Sequence, residues 1–577
     1  MNIMKKRWIL YPSLDELRDQ ISQHFEISRV TAQILINRGL NTVEKADRFL
    51  NITLKDIYDP FLMYGMDKAI NRLLQAFEKR EPVLIHGDYD VDGVTSTAIL
   101  YSILSQVGIP VYYYIPNRLM EGYGLGEEGI QCALRVGAKL MITVDCGINA
   151  INEVEKLKQN NIDVIITDHH MPGDILPDAV AIVNPNQLQC NYPFKDLAGV
   201  GVCFKFLHAL LKKSRELKIT AFDNIDLKDQ LDMVALGTIA DMMPLIDENR
   251  IFVQYGLKKL STSKKVGIRK LKEKSGIQFD QNFKTYHVSF FIAPRINSIG
   301  RLKDAALGVQ LMISTDEEES ERLAEIIEIN NRHRQQLEET VFKQAKDYIE
   351  NNPDIKNRKI IIAAKEDWPV GIVSIVASRL TREYNKPAIV LAIEDGIGRG
   401  SARSINSINL LEWLKRCQNM LLEFGGHSYA AGLSIREDQL GNFIEKINAI
   451  ADQEINKDDL LPEISIDFKL SLSDIGDELM KEIEMLSPYG QKNSRPIFLT
   501  QGLTVQGFPR YFGRNHVKFV VEDEFGIMQE VIGFNMQSQV KDLTKGDKVD
   551  IVYSLNMENY SGIPAIQLQL VDVRAYK

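Results

Sequence analysis

Between residues 83 and 167 short apolar runs alternate with helical segments, and this alternation confines the fold more than any other feature. Strands are predicted over 83–86, 111–115, 140–144 and 164–167, and helices over 95–107, 127–136 and 151–160. Strands separated by single helices need crossover connections, so the sheet they form is mainly parallel. Open parallel sheets present their ligand sites at the carboxyl ends of the strands.

Chemistry-bearing residues stand at those ends. His86 closes the first strand, and Asp88, Asp90 and Asp92 follow it. Three aspartates so close repel one another unless cations neutralise them. An EF-hand calcium loop does not fit, because Ile99 holds the twelfth position, where a Glu is needed, and a strand precedes the loop. Asp145 follows the strand at 140–144, and Asp168, His169 and His170 follow the one at 164–167. The apolar helix around 234–240 delivers Asp241. One Asp at a strand end is commonplace, and an Asp-His-His run also suits a surface turn. Several such sets at one sheet edge suit a metal centre. Carboxylate and imidazole without thiolate favour manganese or magnesium over structural zinc.

The net charge is 69 − 78 = −9, which announces no nucleic-acid binder yet leaves room for a local basic groove. Cys132, Cys146, Cys190, Cys203 and Cys417 are scattered, with no CxxC pair. That pattern excludes a disulfide framework and fits a reducing cytoplasm. The basic start at residues 1–7 is followed by no long apolar run, so neither signal peptide nor membrane span is expected.

His86-x3-Asp90-x-Asp92, Asp145, Asp168-His169-His170 and Asp241 resemble the four motifs of the DHH phosphoesterases. Longer signatures at 86–93, 116–124, 197–201, 293–297 and 425–432 narrow the resemblance to the bacterial members that degrade single strands, over about residues 50 to 577. The resemblance implies two divalent cations, Mn2+ or Mg2+. His86, Asp90 and Asp145 would hold one, and Asp92, Asp145, His169 and Asp241 the other. Asp88 and Asp168 would orient ligands, and His170 would face the substrate phosphate.

The same resemblance orders the rest of the chain. It implies an α/β multidomain protein: an N-terminal helical extension (1–50), a parallel-sheet DHH domain (51–313), a long connector helix (314–350), a DHH-associated α/β domain (351–457) and an OB-like β-barrel (458–577). Ser13 is the expected cap of the first helix, and Ser314 or Thr315 that of the connector. Cys203, Phe204 and Phe206 are expected in the core of a helix over 203–213. The glycine-rich run at 398–404, with Arg399, Ser401 and Arg403, suits phosphate contact, though a β-turn would also explain it; His427 and, from the first domain, Arg118, Arg295 and Asn297 join it. In the barrel, antiparallel strands are expected, and Tyr511, Phe512 and Phe519 with Arg510, Arg514 and Lys518 suit base stacking and phosphate tracking.

The activity implied is 5′-to-3′ exonucleolysis of single-stranded DNA to mononucleotides in repair and recombination. The implied partners are single-stranded DNA, a single-strand-binding protein and a RecQ-type helicase, and the implied state is a monomer. Two rivals stand beside it: a phosphodiesterase for short RNAs or cyclic dinucleotides, which lacks the barrel, and a replication scaffold that has lost its metal ligands.

Overall fold

In the computed structural model the described residues are 6–118, 120–278, 282–302, 304–405, 408–560 and 563–576. Most of the basic start at 1–7 thus lies outside the described residues. Four sheets organise the chain. The first domain holds five parallel strands in the order Val111–Tyr114, Val83–His86, Leu140–Val144, Asp163–Thr167, Ala181–Val183. The chain leaves Val83–His86 for one neighbour and returns to the other, which opens a crevice at the carboxyl edge between that strand and Leu140–Val144.

Alternation along these strands sorts side chains into two cores. Val83, Ile85, Ile142 and Val144 pack under the helices Val91–Gln106, Gly199–Glu216 and Leu231–Ala240. Leu84, Met141, Val164 and Ile166 face the opposite layer, built on Glu127–Arg135 and Ile151–Gln159. Cys203, Phe204 and Phe206 are core residues, as expected. The helix expected from Thr95 begins at Val91, because the Asp90 carboxylate accepts from Asp92 N at 2.8 Å and Gly93 N at 3.2 Å.

A 34-residue helix, Glu317–Glu350, joins the α/β domains and is roughly 50 Å long at 1.5 Å per residue. Asp316, not Ser314 or Thr315, caps it by accepting from Glu319 N at 2.7 Å. Its start packs Leu323, Ala324 and Ile327 into the first core, and its end packs Val341, Phe342 and Ala345 into the second.

The second domain is a mixed sheet in the order Leu421–His427, Ala430–Arg436, Ile397–Arg403, Ala388–Glu394, Ile361–Glu366. The glycine-rich run is therefore part of the middle strand, not a β-turn. A Cβ at Gly400 would come within 2.4 Å of the Val390 carbonyl, so glycine here permits close strand approach.

Five strands, Phe498–Phe512, His516–Glu522, Met528–Gly533, Lys548–Tyr560 and Ile563–Ala575, close a barrel through pairing of the first with the fourth. They are not all antiparallel: Met528–Gly533 pairs with Ile563–Ala575 in parallel. The N-terminal helices Asp15–Phe25, Arg29–Asn37 and Val43–Asn51 share this barrel's core, with Ile34, Leu35 and Phe49 against the layer of Phe498, Leu503 and Tyr553. The strand Arg7–Leu10 pairs with Glu463–Ile466. Leu14, rather than Ser13, takes the N-cap position of the first helix and makes no side-chain cap bond; Ser13 instead donates to the Asp15 carboxylate.

Candidate metal centre and the adjoining cleft

Three groups of ligand atoms converge at the carboxyl edge of the parallel sheet: Asp88, Asp90 and Asp145; Asp92, His169 and Asp241; and Asp145, His169 and His170. His169 Nε2 lies 3.1 Å from Asp145 Oδ1, 3.6 Å from Asp241 Oδ2 and 4.0 Å from Asp92 Oδ2. Each side chain is placed by a chain end. Asp145 leaves its strand with φ 60°, a left-handed turn that aims the carboxylate across the edge. Asp92 is held by the start of the Gly199–Glu216 helix, where Gly199 N and Val200 N donate to it at 2.6 and 2.8 Å. A Cβ at Gly199 would stand 2.5 Å from Asp145 Oδ1, so glycine is what lets two acidic side chains share that helix end.

Burial and mutual repulsion dominate the electrostatics. Burial, then the charges of Asp92 and Asp90, holds Asp145 well above the usual carboxylate range. Burial and Asp90 push Asp92 up to about 7, and burial lowers His169 to about 4. Asp88 and Asp241 are raised by burial and by neighbouring aspartates. Asp88 Oδ1, Asp145 Oδ1 and His169 Nε2 are buried without a hydrogen-bond partner. Orphaned carboxylate and imidazole atoms facing one another are the donor set for hard divalent cations, so the residues fit the two ions.

Asp168 plays a different part. Its Oδ1 accepts from His169 N at 2.7 Å, His170 N at 3.1 Å and His170 Nδ1 at 2.8 Å, while Oδ2 accepts from Ile148 N at 2.9 Å. Burial would raise it, but the hydrogen bond from His170 and the charges of both histidines hold it low. Burial would lower His170 in turn, and Asp168, backed by Asp241 and Asp92, overrides this and pushes it up to about 9.

His86, expected to be a ligand, lies apart from the converging groups, though its buried Nε2 also has no hydrogen-bond partner. Strand alternation puts it on the Leu84 side, fully buried, with Cys146 Sγ 3.7 Å from its Nδ1 and the Tyr114 ring 5.6 Å away. Asp88, beyond the strand end, joins those groups instead. Tyr123 was not expected: its hydroxyl lies 3.2 Å from the Asp145 carbonyl oxygen and 3.0 Å from His170 Nδ1. Its only sequence signal was membership of the 116–124 signature.

Tyr123 also lines a cleft of about 2160 Å³ between the α/β domains. Arg118, Arg301, Arg399, Ser401 and Arg403 line it too. Positions 399, 401 and 403 share one face of their strand by alternation. Arg403 donates to Ser401 Oγ at 2.6 Å and Ser378 Oγ at 3.1 Å. Arg301, which carried no sequence signal, donates to the Gly371 carbonyl at 2.8 Å and Ser374 Oγ at 3.0 Å. Burial, and then the Arg118 charge, depresses both Arg301, to about 9, and Arg403. Arg118 stacks 4.8 Å from the Tyr89 ring centroid. Three mutually repelling guanidinia make a site for an anion.

Three of the expected substrate contacts lie away from this cleft. Arg295 is bound to Glu328 at 2.7 Å and to the Phe291 carbonyl at 2.6 Å, outside the cleft lining. Six residues turn it about 240° around the helix from Arg301. Asn297, half-buried on that helix, and His427, exposed at the end of the edge strand, are also outside the lining. In the barrel Phe519 is buried, whereas Tyr511 and Phe512 are exposed.

Known proteins share this arrangement. Residues 82–238 match the model of the DHH family N-terminal domain, 357–453 the DHHA1 domain and 466–572 the RecJ OB domain. Fold and site together define a metal-dependent DHH phosphoesterase. The single-stranded-DNA-specific exonuclease RecJ of Bacillus subtilis is 38% identical over 98% of this chain and 71% of its own length. That of Haemophilus influenzae is 34% identical over 93% of this chain and 94% of its own. The structure of RecJ with Mn2+ from Thermus thermophilus superposes with a TM-score of 0.83, at 28% identity, over 99% of this chain and 80% of that one. A Mg2+ complex from the same organism is similar, with a TM-score of 0.77 at 26% identity, over 99% of this chain and 79% of that one. The chain belongs to the RecJ family of exonucleases. No helix among the described residues is long and apolar enough to cross a membrane.

Proposed function

We propose that this chain degrades single-stranded DNA from the 5′ end to mononucleotides, in DNA repair and recombination. One observation carries the reading: the Asp–His centre and the arginine-lined cleft are continuous, because Tyr123 belongs to both. A strand end seated on the arginines therefore leads its next phosphodiester toward the carboxylates.

Asp88, Asp90 and Asp145 would hold one divalent ion, and Asp92, His169 and Asp241 the other, with Asp145 and His169 at the junction. Bound there, the ions would supply acidification of a water and neutralisation of charge on the transferring phosphate. The chain's own groups position the rest. Asp168 keeps a proton on His170, whose cation can donate to a phosphate oxygen. Tyr123 fixes that imidazole against the Asp145 backbone. Arg118, Arg301, Arg403 and Ser401 grip the terminal phosphate, a dianion near neutral pH, and so set the strand end. On the barrel, Tyr511, Phe512 and Phe534 are exposed, and His516 lies 5.3 Å from both phenylalanine rings, a stacking platform for the trailing strand.

The protein would act as a monomer in the cytoplasm, where its five free cysteines stay reduced. A single-strand-binding protein and a RecQ-type helicase are the partners that family membership supports. A 5′-labelled single strand, a duplex and a ribodinucleotide, each in Mn2+ and in EDTA, test the reading. Metal-dependent release of labelled mononucleotide from the single strand is expected. Preference for the ribodinucleotide, or no hydrolysis at all, overturns it.

A further inference from the structure

Among the described residues the three most exposed methionines are Met120, Met242 and Met171, at 85%, 72% and 65%. All three adjoin the site. Met171 follows His170, Met242 follows Asp241, and Met120 lines the cleft between Arg118 and Tyr123. Water-facing thioethers on three separate loops gain nothing for folding.

Met242 adds a second, independent observation. The Leu231–Ala240 helix ends with Met242 N donating to the Ile239 carbonyl at 3.1 Å and Met243 N to the Thr238 carbonyl at 3.2 Å. This closing pattern calls for a left-handed residue at Met242, usually glycine. Met242 takes that conformation, with φ 56°, and bears its steric strain. A strained, exposed apolar side chain held beside a metal-capable carboxylate has a use outside the fold.

We propose that Met242 and Met171, with Met120 at the cleft side, contact the nucleobases of the strand end being cleaved. Methionine is unbranched and polarisable and packs on aromatic faces without reading hydrogen-bond edges. It therefore steadies any base, as an enzyme that removes nucleotides in succession requires. The methionines are positioning residues, and their role rests on the single-strand exonuclease reading above.

Met242→Gly with Met171→Ala tests this in the full-length protein with Mn2+. Met242→Gly relieves the left-handed strain, so its Tm should not fall, and calorimetric Mn2+ affinity should match the parent. The substrates are a 5′-phosphorylated single strand and the same strand with abasic residues at its first three positions. For the parent, removing the bases should lower kcat/KM roughly tenfold, the scale of two or three thioether–ring contacts. The double variant should be slow on both substrates, with a raised KM and little further loss on the abasic strand. Equal loss of rate on the abasic strand in parent and variant overturns the proposal while leaving the exonuclease reading intact. A parent that cleaves neither strand overturns both.

Discussion

His169 Nε2 and Asp145 Oδ1 face each other at 3.1 Å, and neither atom has a hydrogen-bond partner among the described residues. Two acceptor-rich groups held this way are costly without a cation between them. Asp145→Ala should therefore abolish cleavage, a loss of several kcal/mol in the transition state. Single-strand binding should persist on the cleft and barrel. Asp145→Asn should also be inactive, since a neutral amide cannot neutralise a divalent cation. Cleavage by either variant within about threefold of the parent would refute the assigned role.

Metal removal should expose a pH dependence. Asp92 titrates near 7 in the fold and near 3.9 when unfolded, so between those values only the folded chain keeps the proton. The stability this contributes is full below about pH 4 and lost as pH rises through about 7. Saturating Mn2+ requires deprotonated ligands, so it should bind more tightly as pH rises and release protons. Melting in EDTA should thus fall from about pH 5 to about pH 8, and Mn2+ should offset the fall. A metal-free melting temperature that climbs across this window contradicts the arrangement.

The two adjacent histidines should separate in function. His169→Ala should weaken Mn2+ binding, whereas His170→Ala should lower turnover more than affinity, because Asp168 already occupies His170 Nδ1. Metal titration of both variants is the check, and equal loss of affinity in the two would remove the distinction.

Arg403→Ala should slow cleavage of 5′-phosphorylated strands by about ten- to a hundredfold, the worth of one charge-assisted hydrogen bond of roughly 1.5–3 kcal/mol. Strands ending in a 5′-hydroxyl should lose much less. Arg295→Ala should show no such preference, since its guanidinium is spent on Glu328 and the Phe291 carbonyl. If both ends suffer equally from Arg403→Ala, the terminal phosphate is held elsewhere.

Arg250 should prove structural. Fully buried, it donates to the carbonyls of Phe49, Leu486 and Met485 at 3.0–3.1 Å and lies 3.9 Å from the Phe49 ring centroid. It thereby ties the first α/β domain to the N-terminal helices and the segment leading into the barrel. Arg250→Ala should cost roughly 2–5 kcal/mol through unsatisfied carbonyls. A denaturant midpoint unchanged from the parent would deny the tether. For the same reason, removing the barrel alone should strip the core from Ile34, Leu35 and Phe49 and yield aggregating protein.

The sequence by itself determined the parallel sheet, the alternation of elements and the cluster of aspartates and histidines, because each is local. Period-two apolar runs and charged residues at their ends depend on a few neighbours along the chain. Asp145, His169 and Asp241 were legible in this way, as were Arg118, Ser401 and Arg403 once the family signatures were recognised. Tertiary structure alone decided which atoms meet. Strand alternation at Val83–His86 turned His86 into the core and left Asp88 to the centre. Helical phase buried Arg295 against Glu328 and brought Arg301 to the cleft. Strand pairing made a middle strand of a glycine-rich run that a β-turn would also have explained. The N-terminal helices found their core in strands more than four hundred residues away, as Arg38 beside Asp467 marks. Such outcomes depend on angles of a single residue step and on partners remote in the chain, and neither quantity is written in local composition.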